Sequence, residues 1–198
     1  MELERVVDAV RDVRGPIVDF GAGTGRLSIG LARAGHSVIA VDVSRASLDV
    51  LEEVAEELSL RSLITSSVVL PEGAFPAVVG ADVLHHVDMD EYVPRLHKLL
   101  RPGGKAVFSE PGALNPAWYL YLPLQGAIRV ELRIVTCTQR NLRRTFVRHG
   151  FNDVSVTGVG VLPRPLFRSV RGCSKHDSIG DWPVLRWFAY RYIIEATA

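Results

Sequence analysis

The chain has 198 residues, of which 47% are hydrophobic and 23% charged, and its formal net charge at pH 7 is +1. This composition suits one globular domain with a sizeable core, and it excludes a disordered chain, a collagen-like repeat and a disulfide-built mini-protein. The two cysteines, Cys137 and Cys173, are too few for a four-cysteine zinc site, and no metal is expected. Reduced thiols are favoured over a single bridge, as in a cytoplasmic protein.

The charge is unevenly distributed along the chain. Residues 1–100 carry 9 basic and 16 acidic side chains, whereas residues 101–198 carry 14 and 6. A basic functional face and the packing of oppositely charged halves in one domain explain this equally well. The charged N-terminus leads into no apolar signal segment, and no apolar stretch approaches the ~20 residues of a membrane span. A cytoplasmic location is therefore expected, and peripheral contact with a membrane stays open.

The first 60 residues alternate between helix and strand. Apolar spacing predicts helices over 3–13 and 27–34 and strands over 17–20 and 37–41. Ser44 is a typical N-cap residue. The helix that it starts has a predicted core face of Leu48, Leu51, Val54, Ala55 and Leu58.

The alternation continues to the end of the chain. Strands are predicted over 63–66, 77–84, 105–109, 153–157 and 190–196, with helices over 90–100 and 138–149 and a turn at 101–104. Such alternation predicts an α/β fold, a doubly wound parallel sheet with helices on both faces. Ligands bind to such sheets at the carboxyl ends of the strands, where the strand order reverses.

Two stretches do not fit the regular alternation. Residues 111–135 and 159–187 form long insertions, neither large enough for a second domain, so residues 1–198 are expected to form a single domain. Long ordered loops in a compact domain are usually lids or binding loops, and we expect these insertions to form a lid over an acceptor site.

The glycine-rich stretch Asp19-Phe20-Gly21-Ala22-Gly23-Thr24-Gly25 follows a predicted strand and opens a helix. The dinucleotide pattern G-x-G-x-x-G would need a third glycine where Arg26 stands. Asp19 would repel a pyrophosphate above the turn but attract the ammonium group of a sulfonium-bearing amino acid. Asp42 closes the second strand, where a carboxylate can accept both ribose hydroxyls of an adenosine.

A resemblance to a known family rests on these segments and on two others, Val83-Leu84-His85-His86-Val87 and Leu99-Leu100-Arg101-Pro102-Gly103-Gly104-Lys105. The sequence resembles class I S-adenosylmethionine-dependent methyltransferases, closest to the type 11 small-molecule subgroup. The resemblance covers roughly residues 1–110 and 136–158. It implies a Rossmann-like, mostly parallel seven-stranded sheet with an antiparallel last strand, and S-adenosylmethionine as cofactor with S-adenosylhomocysteine as product. The implied cofactor-binding residues are Asp19, Gly21, Ala22, Gly23, Gly25, Asp42, Val43, Ser66 and Leu84.

Two departures from the family pattern affect the adenine contact. The acidic residue that usually follows the third strand is replaced by Ser66, whose hydroxyl can accept the same hydrogen bond without supplying charge. Phe75-Pro76 stands where the family often has Phe-Asp at the start of the fourth strand, and Pro76 removes a backbone donor.

Methyl transfer from a sulfonium depends mostly on alignment and exclusion of water, so proximity can suffice and a general base depends on the acceptor. His85 and His86 are predicted on opposite sides of the fourth strand's end, with Glu110 after the fifth strand as a further candidate. Packing roles for the histidines and loop anchoring for Glu110 are equally open. The candidate acceptor-binding residues are Trp118, Tyr119, Tyr121, Arg129 and Arg164, in the two insertions.

Aromatic side chains beside arginines suit a flat or greasy acceptor with an anionic group. The sequence therefore favours methyl transfer to a small-molecule or lipid-like acceptor. Methylation of RNA or protein, which would use the basic second half, is the alternative among enzymes, although no nucleic-acid partner is expected. A regulatory protein that binds the cofactor without turnover is the alternative of another class.

Overall fold

The computed structural model describes residues 2–119, 132–161 and 179–198. Its helices are α1 (Glu2–Ala9), α2 (Arg26–Arg33), α3 (Arg45–Glu57), α4 (Met89–Leu99) and α5 (Gln139–Arg148), with short 3-10 turns at Arg61–Leu63, Leu132–Thr136 and Leu185–Phe188. Its strands are β1 (Ile17–Phe20), β2 (Val38–Val41), β3 (Ile64–Ser67), β4 (Phe75–Ala81), β5 (Leu100–Pro111), β6 (Asn152–Val159) and β7 (Arg191–Thr197).

The strands form one seven-stranded sheet in the order β3-β2-β1-β4-β5-β7-β6. β7 runs antiparallel to β5 and β6, and the other pairs are parallel. The predicted fold class, with its antiparallel last strand, is therefore confirmed. The strand order reverses between β1 and β4, so the carboxyl ends of these two strands flank the crevice in which such sheets bind ligands.

Helices cover both faces of the sheet, and each face has its own apolar core. Neighbouring residues of one strand point to opposite faces: Ile17 of β1 packs with the core of α1, α2 and α3, and Val18 packs with the core of α4 and α5. The four residues of β1 are all buried, as expected for a central strand covered on both sides.

The predicted helix ends are largely confirmed by their caps. Ser44 accepts a hydrogen bond from the backbone N–H of Ser47, and Thr138 accepts one from that of Asn141. Gly35 and Gly150 adopt positive φ just after α2 and α5, where the chain leaves the helix. The predicted core position of Leu58 is wrong. Its side chain is 40% exposed because α3 ends at Glu57 and the chain then turns through a left-handed Ser59.

Two strand predictions also need correction. β4 runs from Phe75 to Ala81 rather than over 77–84. It starts early because the register with β5 shifts between Phe75 and Ala77, and this irregularity accommodates Pro76. The turn predicted at 101–104 lies inside β5, where residues between Leu100 and Lys105 bulge out of the pairing with β4. Gly103 there donates its N–H to the carbonyl oxygen of Ala198. In the three described ranges, no helix has the length and apolarity to cross a membrane.

Candidate active site

The glycine loop between β1 and α2 lies at the carboxyl edge beside the reversal of strand order. Its backbone is fixed to β2, since the N–H groups of Gly21 and Ala22 both donate to the carbonyl oxygen of Val41. Gly21 needs to be glycine because a Cβ there would lie 2.3 Å from Val83 Cγ2. Gly23 has a φ of +52°, and a Cβ there would meet nothing within 4 Å. The loop therefore offers bare backbone to open space, as a site for a closely approaching ligand requires.

Asp19 lies beneath this loop and is completely buried. Its Oδ2 accepts a hydrogen bond of 2.6 Å from the Ser28 hydroxyl on α2, whereas its Oδ1 has no partner among the described residues. Burial raises the pKa of Asp19 to about 7. Asp19 is therefore partly protonated near neutral pH, and its ionised form would favour a positively charged group above the loop.

Asp42 follows β2 and joins the glycine loop to the start of α3. Its Oδ2 accepts the N–H of Gly23 and its Oδ1 accepts the N–H of Ser44, both at 2.8 Å. Each carboxylate oxygen has a second lone-pair site, so two ribose hydroxyls can still be accepted. Val43, directly after it, is 91% exposed and offers an apolar surface beside the carboxylate.

Ser66 on β3 points toward α3. Its hydroxyl donates to Glu52 Oε1, and Glu52 also forms ion pairs with Arg45 and Arg61. The hydroxyl proton is therefore committed to Glu52, and Ser66 can meet a ligand only as an acceptor. Its contact with adenine stays a prediction.

Glu110 at the end of β5 anchors the turn that follows β4. Oε1 accepts the N–H groups of Val83 and Leu84, at 2.9 and 2.8 Å, and Oε2 lies 2.6 Å from His85 Nδ1. Glu110 is completely buried and His85 is only 2% exposed. Glu110 therefore anchors the turn and His85 packs against it, and a catalytic role for either residue stays a prediction.

The expectation that His85 and His86 lie on opposite sides of a strand is wrong. β4 ends at Ala81, so both residues lie in the turn, where their rings contact each other with centroids 4.0 Å apart. Of the three candidate catalytic residues, His86 is the exposed one. The side chain of Leu84, a predicted cofactor-binding residue, is fully buried in the core, and its contact with the cofactor stays a prediction.

Among the described residues, His85, Glu110 and Cys137 form a buried group whose potential metal-ligating atoms lie within 4.8 Å of one another. Glu110 already uses both oxygens, and its Oε2 is 3.9 Å from the Cys137 sulfur. Burial, with the nearby Glu110 charge, raises the pKa of the Cys137 thiol well above its usual range. Cys137 is therefore a protonated packing residue, and the expected absence of a metal stays a prediction.

The described parts of the two insertions meet at the carboxyl edge. The buried Asn115 donates through Nδ2 to the carbonyl oxygens of Val161 and Phe188, each at 2.6 Å. The Trp118 ring stacks on Tyr190 at 4.5 Å and its Nε1 donates to the Tyr190 carbonyl. Tyr119 is 47% exposed. The predicted acceptor residues Tyr121, Arg129 and Arg164 lie outside the described residues.

Sequence reasoning missed three charged residues at this edge. Asp82, directly after β4, contacts Arg191 of β7, and Arg26 of α2 lies 3.8 Å from Asp82. Arg191 is buried and also donates from Nε to the Ser109 hydroxyl at 3.1 Å. An aspartate at a strand end was a readable signal, but its partner is 109 residues away in the chain and no local pattern could supply it.

The site fits S-adenosylmethionine in its observed features. Asp42 retains lone pairs for ribose hydroxyls, Val43 offers an exposed apolar surface, and Gly23 leaves the loop backbone open. The unpartnered Oδ1 of Asp19 leaves a buried acceptor beneath the loop, and the ionised form of this carboxylate would attract a cationic group there.

Comparison with known proteins agrees with this geometry. The family model described as "Methyltransferase domain" matches residues 18–108. An uncharacterized methyltransferase of Mycobacterium bovis is 34% identical over 89 residues, which cover 45% of this chain and 37% of that protein. A ubiquinone biosynthesis O-methyltransferase of Alkalilimnicola ehrlichii is 33% identical over 122 residues, covering 59% of this chain and 49% of that protein. The chain thus spans about half or less of the length of these relatives.

A solved structure shares the fold. The phosphoethanolamine N-methyltransferase 2 of Haemonchus contortus, in complex with S-adenosyl-L-methionine, superposes with a TM-score of 0.63 at 19% identity. The match covers 98% of this chain and 52% of that one. The sheet topology, the glycine loop joined to Asp42 and the methyltransferase domain matched over residues 18–108 together support a class I S-adenosylmethionine-dependent methyltransferase.

Proposed function

We propose that the protein transfers a methyl group from S-adenosylmethionine to a small-molecule or lipid-like acceptor. The observation that carries the proposal is the joining of the open glycine loop to the Asp42 carboxylate at the reversal of strand order. This arrangement supplies bare backbone and hydroxyl-accepting oxygens side by side, which an adenosine with a charged amino-acid tail requires.

The residues that would hold the cofactor divide by the part that they meet. Asp42 would accept the ribose hydroxyls, and Val43 would pack against the adenine. Gly21, Ala22, Gly23 and Gly25 would shape the loop beneath the amino-acid end, with Asp19 acting through its field. Ser66 would contribute an acceptor oxygen near the adenine, because its proton is donated to Glu52.

When bound, the cofactor supplies an activated methyl group on a sulfonium. The chain's own contribution is to align the acceptor and exclude water. Glu110 fixes the turn that carries His86 by binding the N–H groups of Val83 and Leu84. His86 is exposed on that turn, and it would accept the proton of an acceptor whose nucleophile arrives protonated.

An acceptor with an apolar part suits the exposed side chains of the insertions. Four large apolar side chains, in the insertions or directly after them, are between 42% and 47% exposed: Leu114, Tyr119, Trp187 and Phe188. The hydrogen bonds of Asn115 to the carbonyls of Val161 and Phe188 bring the two insertions together above the carboxyl edge. Aromatic surface next to the site suits a flat or greasy molecule. The similarity to a ubiquinone biosynthesis O-methyltransferase supports a small-molecule acceptor of this kind.

The test is a methyl-transfer assay with isotope-labelled cofactor and fractionated metabolite and lipid extracts. The proposal expects label in a low-molecular-weight or lipid fraction, together with stoichiometric S-adenosylhomocysteine. An Asp42→Ala variant is the matched control and should lose both signals. Cofactor binding without product from any fraction would instead support a regulatory protein that binds without turnover.

Methylation of RNA is a second candidate because α5 carries a basic face. An open groove is lined by Val147 and four arginines, Arg140, Arg143, Arg144 and Arg148. The first three arginines form no ion pair with the described residues. No aromatic side chain of the described ranges lines this groove for base stacking, so we expect only weak, sequence-indifferent binding. A gel-shift titration at about 50 and 200 mM salt tests this, because purely phosphate-driven affinity falls steeply over that range. Tight RNA binding that persists at the higher salt would favour the second candidate.

A further inference from the structure

An arginine and an aspartate face each other at the reversal of strand order, outside the residues assigned to the site so far. Arg26 begins α2 directly after the glycine loop, and Asp82 directly follows β4. Arg26 Nη1 lies 3.8 Å from Asp82 Oδ2, and their side chains are 64% and 33% exposed. This pair is loose and reachable from solvent, and an ion pair of this kind contributes little to stability.

The backbone of Asp82 is held in an uncommon conformation. Its φ is +58°, in the left-handed region that non-glycine residues seldom adopt. The conformation is fixed because the Asp82 N–H donates to the Ser109 carbonyl at 2.9 Å and Arg191 binds Oδ1. Backbone strain retained in this way clusters at functional sites.

Arg191 directs the Asp82 carboxylate outward. The buried guanidinium is held by the Ser109 hydroxyl and binds one carboxylate oxygen of Asp82. The other oxygen, Oδ2, is the one that faces Arg26. Val83, the next residue, packs on Gly21, so this oxygen lies beside the glycine loop. Asp19, which ends β1 just before the loop, is completely buried, and Asp42 lies on the opposite side of the loop, against β2.

We propose that Asp82 and Arg26 together bind the zwitterionic amino-acid end of the cofactor, with Asp82 accepting from its ammonium group and Arg26 binding its carboxylate. This inference rests on the proposed function and names the residues that read one part of the cofactor. Arg191 is a positioning residue, because it acts through Asp82. A bound zwitterion would replace the loose Asp82–Arg26 ion pair by two charge-assisted contacts, each between groups of opposite charge. The N-terminus of α2 adds partial positive charge beside Arg26.

The experiment compares two ligands by isothermal titration calorimetry. S-adenosylhomocysteine carries the amino-acid end, whereas 5′-methylthioadenosine has the same adenosine and a thioether without it. Asp82→Asn and Arg26→Gln should each weaken S-adenosylhomocysteine binding at least tenfold and change 5′-methylthioadenosine binding less than twofold. Asn tolerates a left-handed φ, so the Asp82 variant keeps its backbone.

Two control variants separate the explanations. Asp42→Asn, at the ribose contact, should weaken both ligands, and Arg33→Gln, at the far end of α2, should weaken neither. Arg191→Lys should behave like Asp82→Asn. If that variant does not fold, the Asp82 and Arg26 variants decide alone. Equal losses for both ligands, or no loss for either, at Asp82 and Arg26 would overturn the inference. Failure of the unmodified protein to bind either ligand would overturn the proposed function itself.

Discussion

Two aspartates at the ends of neighbouring strands have opposite environments. Asp19 ends its strand beneath the glycine loop, with one unpartnered oxygen and a pKa raised to about 7 by burial. Asp42 ends the next strand half-exposed, with a backbone N–H donating to each oxygen. The first residue therefore shapes the loop and its field, and the second offers contacts to a ligand.

The raised pKa of Asp19 makes stability depend on pH. Between its unfolded value of 3.8 and about 7, the folded state holds a proton that the unfolded state lacks. The free energy of unfolding therefore falls as pH rises through this range and levels off above it. The total effect is of the order of a few kcal/mol, since one pKa unit corresponds to about 1.4 kcal/mol.

Urea unfolding at pH 5 and pH 8 measures this dependence. An Asp19→Asn variant does not titrate, so the difference between the two proteins isolates the contribution of Asp19 from that of the other ionisable groups. We expect the variant to lose much less stability than the unmodified protein between the two pH values. Identical losses in the two proteins would show that Asp19 titrates normally.

Asp42 is predicted to carry much of the cofactor affinity. Asp42→Ala should weaken S-adenosylhomocysteine binding at least tenfold, because a charge-assisted hydrogen bond contributes about 1.5–3 kcal/mol. Calorimetric titration measures this affinity. The same change also frees the N–H groups of Gly23 and Ser44, so thermal unfolding must be measured alongside. An affinity equal to that of the unmodified protein would show that Asp42 only closes the turn.

The structure adds a stability cost to the expected outcome of Ser66→Asp. From the family pattern, an acid at this position should preserve or improve affinity. The Ser66 hydroxyl donates to Glu52, so an aspartate would place two carboxylates together. We now expect a lower melting temperature for Ser66→Asp and recovery in the double variant with Glu52→Gln. Improved cofactor affinity at unchanged stability would restore the original expectation.

At the scale of elements, a buried carboxylate holds the turn after β4 in place. Glu110→Ala would leave the N–H groups of Val83 and Leu84 and the His85 ring without their acceptor. We expect it to cost about 3–5 kcal/mol of unfolding free energy. Glu110→Gln keeps one acceptor oxygen and should cost less. Chemical denaturation checks both variants, with the exposed Glu53→Ala as the matched control. A stable Glu110→Ala protein would refute the anchoring role.

Neighbouring aromatic residues of the first insertion have separable roles. Trp118 stacks on Tyr190 and donates to its carbonyl, so Trp118→Ala should lower the melting temperature as well as turnover. Tyr119 is half-exposed, so Tyr119→Ala should reduce kcat/KM for the acceptor at least tenfold while cofactor affinity stays within twofold. Because the Tyr119 hydroxyl donates to the Ala113 carbonyl, Tyr119→Phe tests whether this anchor contributes. Cofactor affinity lost in parallel with turnover would contradict the acceptor role.

The regular elements were readable from the sequence because each has a local cause. The apolar spacing of α3, the caps Ser44 and Thr138, and the positive-φ glycines after α2 and α5 are all encoded within a few residues. The failures have tertiary causes. β4 starts two residues early because pairing with β5 accepts Pro76 beside a bulge, and the two histidines lie in a turn held by Glu110. The Asp82–Arg191 contact joins residues too distant in the chain for any local pattern.

At the scale of the whole molecule, the basic and acidic halves of the chain meet in one sheet. β5 from the basic half pairs with β4 from the acidic half, and β7 and β6 extend the same sheet beyond β5. Packing therefore brings the halves together, yet the arginines of α5 remain on the surface. The site lies where strands of both halves end, with the cofactor residues from the first half and the acceptor candidates from the second.

We expect this edge of the sheet to bind S-adenosylmethionine rather than a dinucleotide. Calorimetric titration of the whole chain with S-adenosylhomocysteine, and separately with NAD, distinguishes the two ligands. We predict saturable binding of S-adenosylhomocysteine at one site per chain, weakened by Asp42→Ala, and no binding of NAD. Tight binding of NAD, with no response to S-adenosylhomocysteine, would contradict it.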